Sequence, residues 1–164
     1  MEITNTNTGT TTTTITSTDT GATRFELPRW ESLDLLETQT VGRLCVIENG
    51  CPLAFPINFR VARDLDDIRI VFRTVPHAAV ARYEGPASLE VDSIDAATRT
   101  AWSVIARGRL RRVLGQHELP DPRPLITEGR YQWVVLDVAA ISGRRFISKP
   151  ASDGFTVEWQ PTGN

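Results

Sequence analysis

The sequence predicts a mainly β protein with two minor helices, closed into a small antiparallel barrel of about six strands. Three observations carry that expectation. Between Gly42 and Thr74, three runs rich in Val, Ile, Leu and Phe are separated by Asn49-Gly50 and by a polar stretch from Arg63 to Asp67. Asn-Gly supplies the positive φ angles of a tight hairpin turn, so the runs should form a β-meander. Pro52 and Pro56 lack a backbone donor, which suits a strand edge or a bulge at a barrel rim better than a flat internal sheet. Finally, Thr100 to Val113 reads as one long strand, able to bend and pair with more than one neighbour.

The elements follow in order. Residues 1–24 are half threonine, with no apolar periodicity, and are expected to form a disordered N-terminal segment. Order is expected from about Phe25, and the barrel domain spans 25–148. Pro28 suits the first turn of a helix, and Trp30, Leu33 and Leu36 make one apolar stripe through about Thr38, placed to cover one end of the barrel. The meander strands are Leu44–Ile47, Leu53–Phe59 and Ile68–Phe72. Pro76 opens a short helix over Ala78–Tyr83, stopped by Gly85-Pro86. Ala87–Asp92 is the next strand, and a polar connector leads to Thr100–Val113. Pro120, Pro122 and Pro124 mark Leu114 to Arg130 as a loop. Tyr131–Val138 closes the core, and Ile141–Ile147, with Ser142-Gly143, is a turn into a final extended piece before a C-terminal tail at 149–164.

Composition narrows the function classes. The 164 residues suffice for one core, and a net charge of −2 gives no general attraction to nucleic acid or anionic membrane. Of the 18 basic residues only Lys149 is a lysine, a bias that fits anion binding but also plain GC-rich coding. A two-residue turn at Asn49-Gly50 would pair Glu48 with Cys51 and Cys45 with Ala54, so the thiols point to opposite faces and cannot bridge. Free thiols, no apolar run of about 18 residues and no secretory leader together suggest a cytoplasmic protein.

Several residue types invite functional readings. Arg73-Thr74 ends a strand beside Pro76-His77, where an anion can be held, although Arg and Thr are common at solvated strand ends. Glu90 and Asp92 share a strand face; ion pairing with Arg99 or Arg107 accounts for them better than acid–base chemistry. Arg107, Arg109, Arg111 and Arg112 lack the interleaved aromatics of a nucleic-acid stripe. Arg144 and Arg145, after Ser142-Gly143, are candidates to reach an anionic ligand from the C-terminal side. Ser103, His77 and Asp92 supply the residue types of a hydrolytic triad but no nucleophile elbow. His77 and His117 lack metal-ligand spacing.

Taken together, Val41–Leu44, Pro56–Phe59, Ile70–Thr74, Leu89–Asp95, Thr100–Val104, Arg107-Gly108 and Ile141–Arg145 resemble, in order, the FMN-binding split-barrel proteins related to pyridoxamine 5′-phosphate oxidase, in particular the small actinobacterial type. The resemblance covers roughly residues 30 to 147. It implies a six-stranded antiparallel split β-barrel, homodimeric, with FMN at the subunit interface. It also implies that Arg73 and Thr74 contact the flavin phosphate, that Pro56, Ile57 and Asn58 run beside the isoalloxazine ring, and that Trp102 and Ser103 complete the site from the partner subunit. With Phe72, His77 and Arg144, these form the candidate cofactor-binding set; no catalytic residue is assigned.

One departure bears on affinity. Relatives that bind FMN carry a hydroxyl and a lysine where this chain has Ala78 and Ala79. Losing one charge-assisted and one neutral hydrogen bond, at about 1.5–3 kcal/mol for the charged one, lowers affinity ten- to a hundredfold. The expected function is two-electron redox chemistry on a small molecule, with deazaflavin as a cofactor variant. Pyridoxamine phosphate itself is not the expected substrate, since no second phosphate clamp is evident. The alternative is a non-catalytic dimeric binding protein for haem, lipid or another flat ligand.

Overall fold

Asn49 and Gly50 both take positive φ, 52° and 79°, in the computed structural model of the chain, and the hairpin they make sets the register of everything beside it. The structure describes residues 15–17, 22–64, 67–113, 119–123 and 131–148. In order they form β1 (Ile15–Ser17), β2 (Ala22–Leu27), α1 (Arg29–Thr38), β3 (Val41–Glu48), β4 (Cys51–Asp64), β5 (Asp67–Thr74), α2 (Ala79–Arg82), β6 (Gly85–Asp95), β7 (Thr100–Val113) and β8 (Gln132–Ser148).

All pairings are antiparallel, and β3 to β8 close into a six-stranded barrel in the cyclic order β3-β4-β5-β8-β7-β6. This is the expected split barrel. Glu48 pairs with Cys51 and Cys45 with Ala54, and both cysteines are free. β4 pairs with β5 only from Phe59 onward, so Pro52 and Pro56 lie in the half of β4 that has β3 on one side and no described strand partner on the other. Their missing donors therefore leave no ladder bond unmade.

The long strand β7 runs between β6 and β8 over most of its length, with a bulge at Arg107/Gly108. A Cβ on Gly108 would stand 1.9 Å from the Asp137 carbonyl oxygen, so only glycine lets β8 come this close. Inside the barrel, Leu44, Phe59, Ile70, Phe72, Leu89, Val104, Leu110, Val134 and Leu136 are fully buried in one apolar cluster. Val71 and Val135 are cross-strand partners on the opposite face and are equally buried. β5 and the first half of β8 are thus covered on both sides.

Four expectations need correction. The sheet starts before Phe25: β2 begins at Ala22 and pairs with the far half of β8, and β1 adds to β2. A partner edge supplies the backbone hydrogen bonds that stabilise a threonine-rich segment with no apolar face of its own. The remainder of residues 1–24, the tail at 149–164 and most of the loop from Leu114 to Arg130 lie outside the described residues. Trp30 is 64% exposed and not part of the buried stripe of α1, which is formed by Ser32, Leu33 and Leu36. Spacings of three drift by roughly 60° per step, so a third residue leaves the face that the other two share. The short second helix is only Ala79–Arg82. Finally, Ser142-Gly143 makes no turn; β8 continues straight through it. Gly143 is there because α1 packs against it, a Cβ at that position lying 2.4 Å from Ser32 Oγ.

Candidate functional site

β5 alternates Ile70 and Phe72 into the barrel with Arg69, Val71 and Arg73 outward. Arg73 pairs across to Trp133 of β8, so the two side chains share the outer face. The guanidinium carbon lies 4.9 Å from the centroid of Tyr131 and 5.3 Å from that of Trp133. Its Nη2 lies 3.0 Å from Asp121 Oδ1, and that same oxygen accepts the Arg123 backbone N–H at 2.9 Å. The Arg73 side chain is only 17% exposed, and its Nε is buried without a partner. A charged group held between two rings with an unused donor is set up to take an oxyanion.

The predicted set falls into two groups. The β4–β5 pairing stops at Phe59–Phe72, so Pro56, Ile57 and Asn58 lie on β4 just beyond it, at the end of β5 that carries Arg73 and Thr74. Within that group Phe72 and Ile57 turn their side chains into the core, so only their backbone is open to a ligand. Thr74 is half-buried, and His77 is exposed in the turn before α2. That turn does not offer a helix N-terminus to an anion: α2 is four residues long, and the Ala78 N–H donates to the Val75 carbonyl.

The second group sits at the other end of β8. Ser103 pairs with Asp92 and with Arg144, while Trp102 packs partly buried against the core. Trp133 and Arg144, the β8 residues opposite the two groups, stand in different halves of that strand. Arg144 is ion-paired to Glu26 of β2 at 3.1 Å.

Glu90 and Asp92 pair with Arg43, not with Arg99 or Arg107. β3 lies next to β6 with Arg43 opposite Glu90, and its guanidinium bridges both carboxylates. Glu90 and then Asp92 hold the Arg43 pKa above its ordinary value. Arg111 and Arg112 of β7 are likewise taken, by Asp137 and Glu84.

Two features escaped the sequence. One is the Asp121 contact. The other is a cleft of about 430 Å³ on the outer face, mostly apolar, walled by Cys45, Ile47, Pro52, Pro86, Ser88 and Arg107. Its walls come from four strands, β4, β3, β6 and β7, brought together by the β3–β6 pairing between two separate hairpins. Among the described residues there is no group of three or more His, Cys, Asp or Glu able to hold a metal, and no helix is long and apolar enough to cross a membrane.

A family profile described as pyridoxamine 5′-phosphate oxidase matches residues 28–145, from the start of α1 to the far half of the last strand. The chain belongs to that family. A search of curated proteins returned no match. Among solved structures, a conserved protein of unknown function from Corynebacterium diphtheriae is 28% identical, with a TM-score of 0.65, covering 76% of this chain and 98% of that one. An FAD-binding protein from Mycobacterium smegmatis is 29% identical, with a TM-score of 0.60 over 73% of this chain and 98% of that one. At 24% identity, a pyridoxamine 5′-phosphate oxidase-type protein from Corynebacterium glutamicum shares the fold, with a TM-score of 0.66 over 77% and 96%. The family's split barrel is therefore present here from α1 to β8.

Proposed function

We propose that this member of the pyridoxamine 5′-phosphate oxidase family binds a flavin nucleotide and serves as an oxidoreductase on a small molecule. The observation that carries the reading is Arg73, flanked by Tyr131 and Trp133 with a buried, unpartnered Nε. These residues fit the phosphate end of a flavin. The similarity to an FAD-binding protein along nearly all of that protein's length supports the same class of ligand. Ala78 and Ala79 supply no further grip, so Arg73 and the Thr74 hydroxyl carry the polar contacts.

When bound, the flavin supplies two-electron transfer. The chain's own part is positioning. Arg73 holds the phosphate, and the β4 backbone from Pro56 to Asn58 lies along the ring. Trp102 and Ser103 lie on β7 opposite the far half of β8, and membership of the family supports a homodimer in which the partner subunit completes the site.

The test is the absorbance spectrum of the purified protein, then titration with FMN and with FAD followed by flavin fluorescence. Saturable quenching at low micromolar flavin is expected, with chain mass in solution corresponding to a dimer. Absence of saturable quenching with both flavins removes them as the cofactor, and deazaflavin and haem are titrated next. Failure of deazaflavin leaves the second reading, a dimeric binder of another flat ligand, which the two alanines favour.

A further inference from the structure

Asp121 meets Arg73 at a single nitrogen of the guanidinium. A guanidinium presents two outward forks for an oxyanion, Nε with Nη2 and Nη1 with Nη2, and Nη2 belongs to both. Asp121 Oδ1 sits on Nη2, at 3.0 Å. It is kept there from its own side by the Arg123 N–H, with Arg123 in the left-handed region at φ 47° and with Pro122 buried between them. Nε is left buried and without a partner, which is what a carboxylate bonded through one oxygen to Nη2 leaves behind.

We propose that Asp121 is a ligand-selecting residue: it stands at the shared nitrogen of Arg73 and biases the site toward a phosphodiester and against a phosphate monoester. The proposal rests on the reading above, in which Arg73 is the phosphate contact. A monoester near neutral pH carries close to two charges, and each phosphate of a diphosphate diester carries one. With Asp121 held in place by the Arg123 N–H, an anion that takes the free Nε side of Arg73 lies beside the carboxylate, and a doubly charged group is opposed more strongly. Asp121 is 54% exposed, so solvent softens the repulsion without removing it. The ligand class this selects is a flavin with a diphosphate, as in FAD, over one with a terminal phosphate, as in FMN.

The experiment compares FMN, FAD and riboflavin on the full-length chain, its Asp121→Asn variant and its Asp121→Ser variant, with thermal melts to confirm folding. The Asp121→Asn change keeps an acceptor for the Arg123 N–H and removes the charge. The natural chain is expected to bind FAD more tightly than FMN. Asp121→Asn should tighten FMN by about tenfold, FAD by clearly less, and leave riboflavin as it was. Equal shifts for all three ligands, or none, overturn the proposal while leaving the flavin reading intact. If no flavin binds any of the proteins, the flavin reading fails, and inorganic phosphate and dimethyl phosphate, a singly charged diester, are titrated instead by calorimetry. Asp121→Asn tightening phosphate more than dimethyl phosphate then upholds the selection by charge; unchanged binding of both overturns it.

Discussion

The two ends of β8 differ in how they are covered. At Val134, Val135 and Leu136 the strand is fully buried on both faces, with β5 on one side and β7 on the other. At Phe146 and Ile147 it runs between β7 and β2, and these side chains are 36% and 41% exposed. The first end carries its own second layer, with Arg73 enclosed by Tyr131, Trp133 and Asp121. The second end carries Trp102, Ser103 and Arg144 beside a partly open apolar surface that includes Ile94 and Ile105. One end is finished by this chain. The other leaves apolar side chains partly open to solvent.

Truncation measures that contrast most directly. Leu136→Ala should lower unfolding free energy by about 2–5 kcal/mol in urea titrations, since the cavity cannot collapse inside a closed barrel. Phe146→Ala should change it by less than about 1 kcal/mol at low protein concentration. A Phe146→Ala loss that grows with protein concentration would show that this end is buried by self-association. Equal losses at all concentrations would erase the distinction between the ends.

The two close-approach glycines make a smaller version of the same comparison. Alanine at Gly108 meets a backbone carbonyl, whereas alanine at Gly143 meets the Ser32 side chain. Gly108→Ala should therefore cost about 1–3 kcal/mol that no single neighbour relieves. Gly143→Ala should be relieved in part by Ser32→Gly, read as a non-additive term in the double-mutant cycle. Additivity there would mean that α1 does not rest on Gly143.

How much of this was legible depended on whether the signal was local. The Asn49-Gly50 turn, the cysteine facing and the continuous run from Thr100 to Val113 are each set by neighbours in sequence, and all three were readable. Ser142-Gly143 carries the same turn chemistry but stays extended, because the reason for that glycine is a helix far back in the chain, at Ser32. The partner of Glu90 and Asp92 depended on strand order: Arg43 becomes their neighbour only when β3 lies beside β6. Asp121 sits among prolines with no pattern of its own, and nothing in its surroundings points to Arg73. Strand periodicity finds faces; it does not find what crosses from one element to another.

For the site, the contrast between the ends is read in ligand affinity. Arg73→Gln should weaken FMN and FAD ten- to a hundredfold while changing riboflavin little, as expected for a charged contact made to phosphate alone. Arg144→Gln, at the open end and already ion-paired to Glu26, should weaken binding by no more than about threefold. A larger loss from Arg144 than from Arg73 would place the phosphate at the other end of β8.

The smallest effects come from one carboxylate near each end. Glu84 lies near the buried end, where the Arg112 hydrogen bond and then its charge hold the carboxyl below its ordinary 4.5. Asp95 lies near the open end, where the Thr98 hydroxyl and the Thr98 and Ala97 amides hold it below 3.8. A depressed folded-state pKa contributes stability that is present above the unfolded value and lost as pH falls through the folded one. Glu84→Gln and Asp95→Asn should therefore lower the melting temperature slightly at neutral pH and match the natural chain once the pH has fallen below both folded-state values. Salt separates the two. The Glu84 effect should shrink at high ionic strength because part of it is the attraction of two exposed charges, whereas the Asp95 effect should persist because its partners are uncharged donors. An Asp95 effect that vanished with salt would mean that the turn at this end is held by a charge, not by these uncharged donors.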